Sequence, residues 1–452
     1  DSCDISQGLS SDCDLDGVPD ECQMAESVLA DCNMNGLLDA CEPVLRAETT
    51  GAATGVGTMD GPHLLMTDLG TRSIELYERL GTAWIQKDAI VPSDADANDG
   101  FGFSMALSGS LLVVGAPNKS GDRGAAYVYE KQGNSWVQIQ VLQAANPLEG
   151  DVFGSAVSVM GSTIAVGAPQ SAVEEPDNPV DANIADDPGF VEVWTHNGTE
   201  FERTASLDNF DPFNGGGEEF GKSLALTDNG WLMVGSPNDG PPGGAGRVFG
   251  YQFNGTEWVL AQEISATDSP QGAVFGTTLS WSAGTLAVSA ERTLAPVVDD
   301  PRIGAVYTFE NSEDGNSWSQ TDRLISTQPA SQEYGFSHQV SGQMLIVGEP
   351  GVDSSAGMVH LYNRMEDGTW SLVDMIRPIT IVNGDNLGTS VATNGEWISY
   401  SADGLSTNIE HREIVPDCNA NGADDRCEIR SGLIPDCNGN IIPDSCDIAN
   451  GT

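Results

Sequence analysis

The sequence predicts an all-β fold, a seven-bladed β-propeller of four-stranded blades held between two short cysteine-bearing flanks. Three observations predict it. A Phe-Gly segment and an apolar segment ending in Gly-Ala-Pro recur together along the middle of the chain. The residues that follow each copy alternate between apolar and polar with period two, as half-buried strands do. All nine cysteines lie within residues 3–41 and 418–446, which divides the chain into 1–43, 44–415 and 416–452.

The repeats are read directly. FGFSMALSGSLLVVGAP begins at Phe101, FGSAVSVMGSTIAVGAP at Phe153 and FGKSLALTDNGWLMVGSP at Phe220. FGTTLSWSAGTLAVSAE follows at Phe275, YGFSHQVSGQMLIVGEP at Tyr334, and a worn copy, LGTSVATNGEWISYSAD, at Leu387. Their starts lie 52, 67, 55, 59 and 53 residues apart. A more degenerate unit precedes them, with HLLMTD from His63, SIELYER from Ser73 and AWIQKDAIV from Ala83. Each unit reads as four strands: the Phe-Gly segment, the apolar segment, an aromatic segment such as AAYVYE from Ala125, and a closing segment such as WVQIQVL from Trp136. The last two are joined by Asn197-Gly198, Asn254-Gly255, Asp314-Gly315 or Asp367-Gly368, dipeptides that tolerate positive φ in tight hairpins. A four-stranded unit recurring every 40 to 50 residues or so is the signature of a propeller blade.

On these residues the chain resembles the FG-GAP repeats of integrin α-chain propellers and their bacterial relatives, over roughly residues 50–415. The resemblance implies a propeller whose ring must close. The last unit lacks an evident fourth strand, and VLRAET at Val44–Thr49 could fill that place, leaving no open edge. Integrin-type blades often hold calcium after the Phe-Gly strand, but here that connection is a short turn such as Ser108-Gly109-Ser110. The acids before the Phe-Gly segments, Asp94, Asp96, Asp99, Asp151, Glu218, Glu219 and Asp385, read as weak cation sites at most and otherwise as solvated interblade loops.

The flanks carry a different pattern, DCDLDGVPDECQ from Asp12, DCNMNGLLDACE from Asp31, DCNANGADDRCE from Asp417 and DCNGNIIPDSCD from Asp436. Oxygen side chains at alternate positions with a carboxylate near the end suit a hard cation taking six to eight oxygens. The first loop would use Asp12, Asp14, Asp16, the Val18 carbonyl, Asp20 and the neutral Gln23. The second would use Asp31, Asn33, Asn35, the Leu37 carbonyl, Asp39 and Glu42. The third offers Asp417, Asn419, Asn421, the Ala423 carbonyl, Asp425 and Glu428, and the fourth Asp436, Asn438, Asn440, the Ile442 carbonyl, Asp444 and Asp447. Gly17, Gly36 and Gly422 occupy the sharp-turn position, whereas the fourth loop has Ile441. The pattern is similar to dockerin and thrombospondin type 3 repeats, which implies EF-hand-like Ca2+ loops; a polar linker built of turn-forming Asp and Asn is the plainer alternative.

Spacing is compatible with Cys13–Cys22, Cys32–Cys41, Cys418–Cys427 and Cys437–Cys446, or with links between adjacent loops such as Cys22–Cys32, and Cys3 is left over. Neither Cys-x2-Cys spacing nor a histidine cluster points to zinc. Disulfides would place the protein outside the cell or at its surface. The chain opens DSCDIS without a leader, and DSCDI recurs at 444–448, so the expected context is a longer polypeptide with further loops.

Composition narrows the partners. Eighteen Lys+Arg against 67 Asp+Glu give a formal charge of −49, a field that repels nucleic acid and anionic lipid. No apolar run approaches the roughly 20 residues of a spanning helix. His63, His196, His338, His360 and His411 are scattered without ligand spacing, and no Gly-x-Ser-x-Gly elbow, P-loop or His-Glu-x-x-His occurs, so no catalytic residue is assigned. Trp84, Trp136, Trp258, Trp318 and Trp370 recur near the closing strand and read as blade packing. The insertions at 170–189 and 291–303 are the first places to seek a partner contact. The expectation is an extracellular scaffold bead with calcium-stabilised connectors, self-associating or joined to neighbouring modules. The alternative is an adhesin or lectin-like propeller recognising a glycan or surface protein, with a hydrolase behind both.

Overall fold

The structure is a computed structural model, and it describes residues 46–48 and most of 57–411, the longest gaps falling at 171–188, 209–217, 292–303 and 377–385. The chain divides into one compact unit of residues 47–410 and another of 1–46 with 411–452. The second unit lies outside the described residues except at its borders.

The second blade shows how the sequence makes the fold. Its strands Ser104–Ser108, Leu111–Ala116, Ala125–Gln132 and Ser135–Leu142 pair antiparallel in that order. Leu112, Val113 and Val114 are all buried, because the second strand is flanked in its sheet and covered on both faces. The outer strand returns to alternation, with Trp136 buried and Val137 exposed. Each Phe-Gly segment is a turn leading into the inner strand, except in the fifth blade, where the strand begins at Phe275 itself. In all six blades lying within 57–376 the register between third and fourth strands slips at one equivalent place, for example Val128/Tyr129, Val193/Trp194 and Gly250/Tyr251. A bulge there increases the twist that a radial blade requires.

The cores lie between blades. Leu65, Ile74 and Leu76 of the first blade cluster with Leu112, Val114 and Tyr127 of the second, and the same holds around the ring. Inner strands touch in order, and Gly57–Asp60 in turn touches Ser390–Thr393. That last junction is made by Gly57 N–H donating to Ser390 Oγ at 3.1 Å, Asn394 Nδ2 donating to the Gly61 carbonyl at 2.6 Å, an Arg79–Glu396 ion pair at 2.9 Å, and Trp84 edge-on to Trp397.

The expected seven blades with stapled flanks need correction on two counts. Six sheets, not seven, are complete blades of continuous chain, at 57–90, 104–142, 156–208, 223–264, 275–324 and 337–376. The remaining four-stranded sheet is composite: Ser390–Thr393, Trp397–Ser401 and Asn408–His411 are followed outward by Arg46–Glu48, which precedes the first blade in the sequence. The physical reason is that the last repeat supplies only three strands, so the fourth place in its sheet falls to the segment ahead of the first blade. Nor are disulfide-stapled loops part of the observed fold, since none of the nine cysteines is among the described residues.

Candidate functional site

The motif residues themselves form the seams between blades. Phe101 packs edge-on to Tyr127 at 5.4 Å, and Phe220–Phe249, Phe275–Tyr307 and Tyr334–His360 repeat the contact. The carbonyl of the following glycine accepts a hydrogen bond from a hydroxyl of the preceding blade: Ser104 to Gly154 at 2.8 Å, Ser223 to Gly276 at 2.7 Å and Ser337 to Gly388 at 2.7 Å. In the first blade Thr67, standing where four other blades have the Gly of Gly-Ala-Pro, donates to Gly102 at 2.8 Å instead. A Cβ on Gly115, Gly167, Gly235 or Gly348 would strike the neighbouring blade's glycine carbonyl, so both glycines of the motif are set by this approach. The residue before each motif Phe, Tyr or Leu has positive φ even when it is not glycine, at Val152, Glu219, Val274, Glu333 and Asn386.

Antiparallel connectivity gives the ring two unlike faces. One carries the tight turns, such as Gly109-Ser110 and Asn197-Gly198; the other carries the connections from each outer strand to the next inner strand, together with the strand ends at Ala168, Phe190, Ala290 and Ala305. On that second face the acids before the Phe-Gly segments are not uniformly solvated, which corrects their reading as loop charges: Asp99, Asp151 and Glu218 are buried. Asp94 and Asp96 are exposed, Glu219 is half-buried, and Asp385 lies outside the described residues. Asp151 accepts from the Leu148 N–H at 2.7 Å.

At Asp99 a cation is present, and it is a lysine. Lys119 Nζ lies 2.9 Å from Asp94 Oδ2 and 3.1 Å from Asp99 Oδ2, and its ammonium stands over the Tyr127 ring. Burial disfavours the ammonium, yet its bonds to Tyr127, Asp94 and Asp99 outweigh burial and hold its pKa above the ordinary lysine value. Burial likewise pushes Asp94 up, but hydrogen bonds from Lys119 and Tyr127 leave its carboxyl below the usual range. Burial pushes the Tyr127 hydroxyl up to about 12. The cluster ties the loop before the second blade to the loop inside it.

Equivalent third-strand positions latch other loops. Glu192 accepts from the Ala145 N–H at 3.1 Å and from Arg203 at 3.2 Å, while burial raises its carboxyl. In the sixth blade Glu349 Oε2 receives Ser326 Oγ at 3.0 Å and lies 2.6 Å from His360 Nε2, all three being buried. No motif announces this Ser-His-Glu group, because its members come from two strands and a loop that are separate in the chain. It is not wired for nucleophilic catalysis, which needs the serine proton directed at the imidazole; here serine and histidine end on one carboxylate oxygen. His338, between the fifth and sixth blades, meets Ser280 Oγ through Nδ1 at 2.8 Å and the Thr278 carbonyl through Nε2 at 3.3 Å. Burial lowers its pKa to about 4, against a smaller opposing effect of the Thr278 carbonyl.

Of the repeating tryptophans, Trp84, Trp136, Trp318 and Trp370 are buried and Trp258 half-buried against Phe253. The proposed calcium ligands, at 12–42 and 417–447, all lie outside the described residues. Among the described residues no group of three or more His, Cys, Asp or Glu is placed to hold a metal ion, and no helix is long and apolar enough to cross a membrane. Sequence reasoning missed the serine of the seam, although Ser104, Ser223, Ser337 and Ser390 all stand two places after the motif glycine. It also missed Gly124, Gly189, Gly246, Gly304 and Gly357, each at positive φ just before a third strand and each too close to the next blade for a Cβ.

Inner strands in sequential contact, apolar seams between sheets and a composite closing sheet define a β-propeller. The FG-GAP repeat model matches residues 84–129 and 136–179, so the chain carries FG-GAP repeats. Each match begins at an outer strand and ends beyond the second strand of the next blade, so the sequence repeat straddles the seam. No curated protein matches the chain. Among solved structures, the computationally designed Ika8 protein is similar at 11% identity and a TM-score of 0.46, over 81% of this chain and 99% of that one. That likeness is too low to carry the fold assignment, which rests on the strand topology.

Proposed function

We propose that this chain is an extracellular structural scaffold module, a rigid propeller bead between calcium-stabilised connectors, and not an enzyme. The observation that supports it best is the use of the repeat motif: its aromatic, glycine and serine residues are spent on the seams between blades, which makes stiffness what the repeats encode. The connectors rest on the sequence of the flanks, where Asp12, Asp14 and Asp16, and their counterparts from Asp31, Asp417 and Asp436, follow the grammar of calcium loops. Calcium binding the ordered loop better than the unfolded one stabilises it by mass action.

The test is thermal melting of the whole chain in calcium and after chelation, together with negative-stain microscopy of both samples. Calcium should raise a transition belonging to the flanks and favour self-associated beads. If neither melting nor particle arrangement responds to calcium, the connector reading is wrong. The second reading, an adhesive propeller, is favoured by the sequence of the insertion at 170–189, where Glu174, Glu175, Asp177, Asp181, Asp186 and Asp187 stand without a single Lys or Arg. Saturable binding of one glycan or surface protein, abolished by deleting residues within 171–188, would select it over the scaffold.

A further inference from the structure

Two hairpins on the tight-turn face are near copies of one another. Asn197-Gly198-Thr199-Glu200 and Asn254-Gly255-Thr256-Glu257 join the third and fourth strands of adjacent blades. In each, the asparagine N–H donates to the glutamate carbonyl at 3.0 Å, and the asparagine Oδ1 accepts from the two N–H groups that follow the glycine. Both asparagines are exposed. They differ in the residue ahead. Residue 253 is phenylalanine, whereas His196 places Nδ1 3.2 Å from the Gly198 backbone nitrogen and accepts its proton in a hydrogen bond. Phe201 lies edge-on to the imidazole at 5.0 Å and fixes its orientation.

We propose that Asn197 is a self-modifying residue, converted through a cyclic imide to aspartate and isoaspartate with His196 as the base. The parts that acyl chemistry needs meet in one turn. The Gly198 nitrogen is the nucleophile, its proton already directed at His196 Nδ1. The Asn197 side-chain carbonyl is the electrophile, and the Thr199 and Glu200 N–H groups at 2.9 and 3.0 Å from Oδ1 stabilise the charge that develops there. Gly198 nitrogen bonds to Asn197 Cγ as its proton passes to His196. The Cγ–Nδ2 bond then breaks, the imidazolium returns the proton to the departing nitrogen, and ammonia leaves. Water opens the imide at either carbonyl, so the sum is asparagine plus water giving aspartate or isoaspartate plus ammonia. Open space around Gly198, where a Cβ would meet nothing within 4 Å, admits that water.

The turn at Asn254 has the same carbonyl-binding N–H pair without the base and is the internal control. The experiment is peptide mapping by mass spectrometry, with isoaspartate resolved chromatographically, on the intact chain incubated at neutral pH and body temperature. Wild type, His196→Phe and Phe253→His are compared. Asn197 should convert about tenfold faster than Asn254 or more, given that a positioned base contributes on the order of 100-fold. His196→Phe should bring Asn197 down to the Asn254 rate, and Phe253→His should raise Asn254. Each variant copies the neighbouring hairpin, so folding is preserved. Equal rates at the two turns in wild type, or a rate at Asn197 unmoved by His196→Phe, would overturn the proposal.

Discussion

Acidification should loosen the seam between the fifth and sixth blades, and His338 sets by how much. Its imidazole is neutral in the fold because it is buried, accepts from Ser280 Oγ at 2.8 Å and donates toward the Thr278 carbonyl. Unfolded, it titrates near 6.5; folded, near 4. Between those values the unfolded chain binds more protons, so stability is complete above 6.5 and falls as the pH drops. With about 1.4 kcal/mol per pH unit, the loss attributable to this one group is about 2 kcal/mol at pH 5 and about 3 kcal/mol at pH 4. The 67 carboxyl groups titrate over part of the same range, so the measurement is differential. Urea denaturation of wild type and His338→Gln is followed from pH 7 to pH 4. The wild-type curve should fall more steeply, by those amounts, while the variant, lower at neutral pH, shows only the carboxyl background. Parallel curves for the two proteins would refute the reasoning.

Other substitutions test the seams. Gly154→Ala sets a Cβ hard against the Ala125 carbonyl at a φ of +95° and should cost about 3 kcal/mol or more, whereas Gly109→Ala, at positive φ but in open space, should cost about 1 kcal/mol in the same denaturation assay. Val274→Asn relieves a β-branched residue at a φ of 55°, where the equivalent Asn386 sits at 52°, and should raise the melting temperature by a gain of up to about 1 kcal/mol. Lys119→Met strands Asp94 and Asp99 without their cation; stability should fall by about 1–3 kcal/mol, and NMR titration should find the Asp94 carboxyl shifted upward.

The repeats were legible because each motif residue has a local steric reason. The glycine beside each aromatic, at positive φ and against a carbonyl of the preceding blade, admits nothing larger, so it recurs at Gly154, Gly221 and Gly276 and survives as Gly388 in the worn copy. The strand order within blades followed from the same periodicity, and the VLRAET segment pointed to the strand at Arg46–Glu48. What the sequence hid was chemistry between segments whose separation is not fixed. Lys119 reaches back 25 residues to Asp94, and Gly57 meets Ser390 across 333. No spacing rule announces such pairs. The buried acids were misread for a related reason: Asp99, Asp151 and Glu218 look like loop charges until burial and backbone donors are seen. His338 and His360 read as scattered histidines in the sequence, and only the folded ring explains their burial.

The composite sheet has a consequence for force. Residues 408–411 and 46–48 are adjacent strands, so a pull on the polypeptide at the two ends of the propeller loads that single pair before any other. Parting it leaves the six continuous blades with their own hydrogen bonds intact. Tension would thus be met first by one short strand, which yields and re-forms at the rim while the interior keeps its shape.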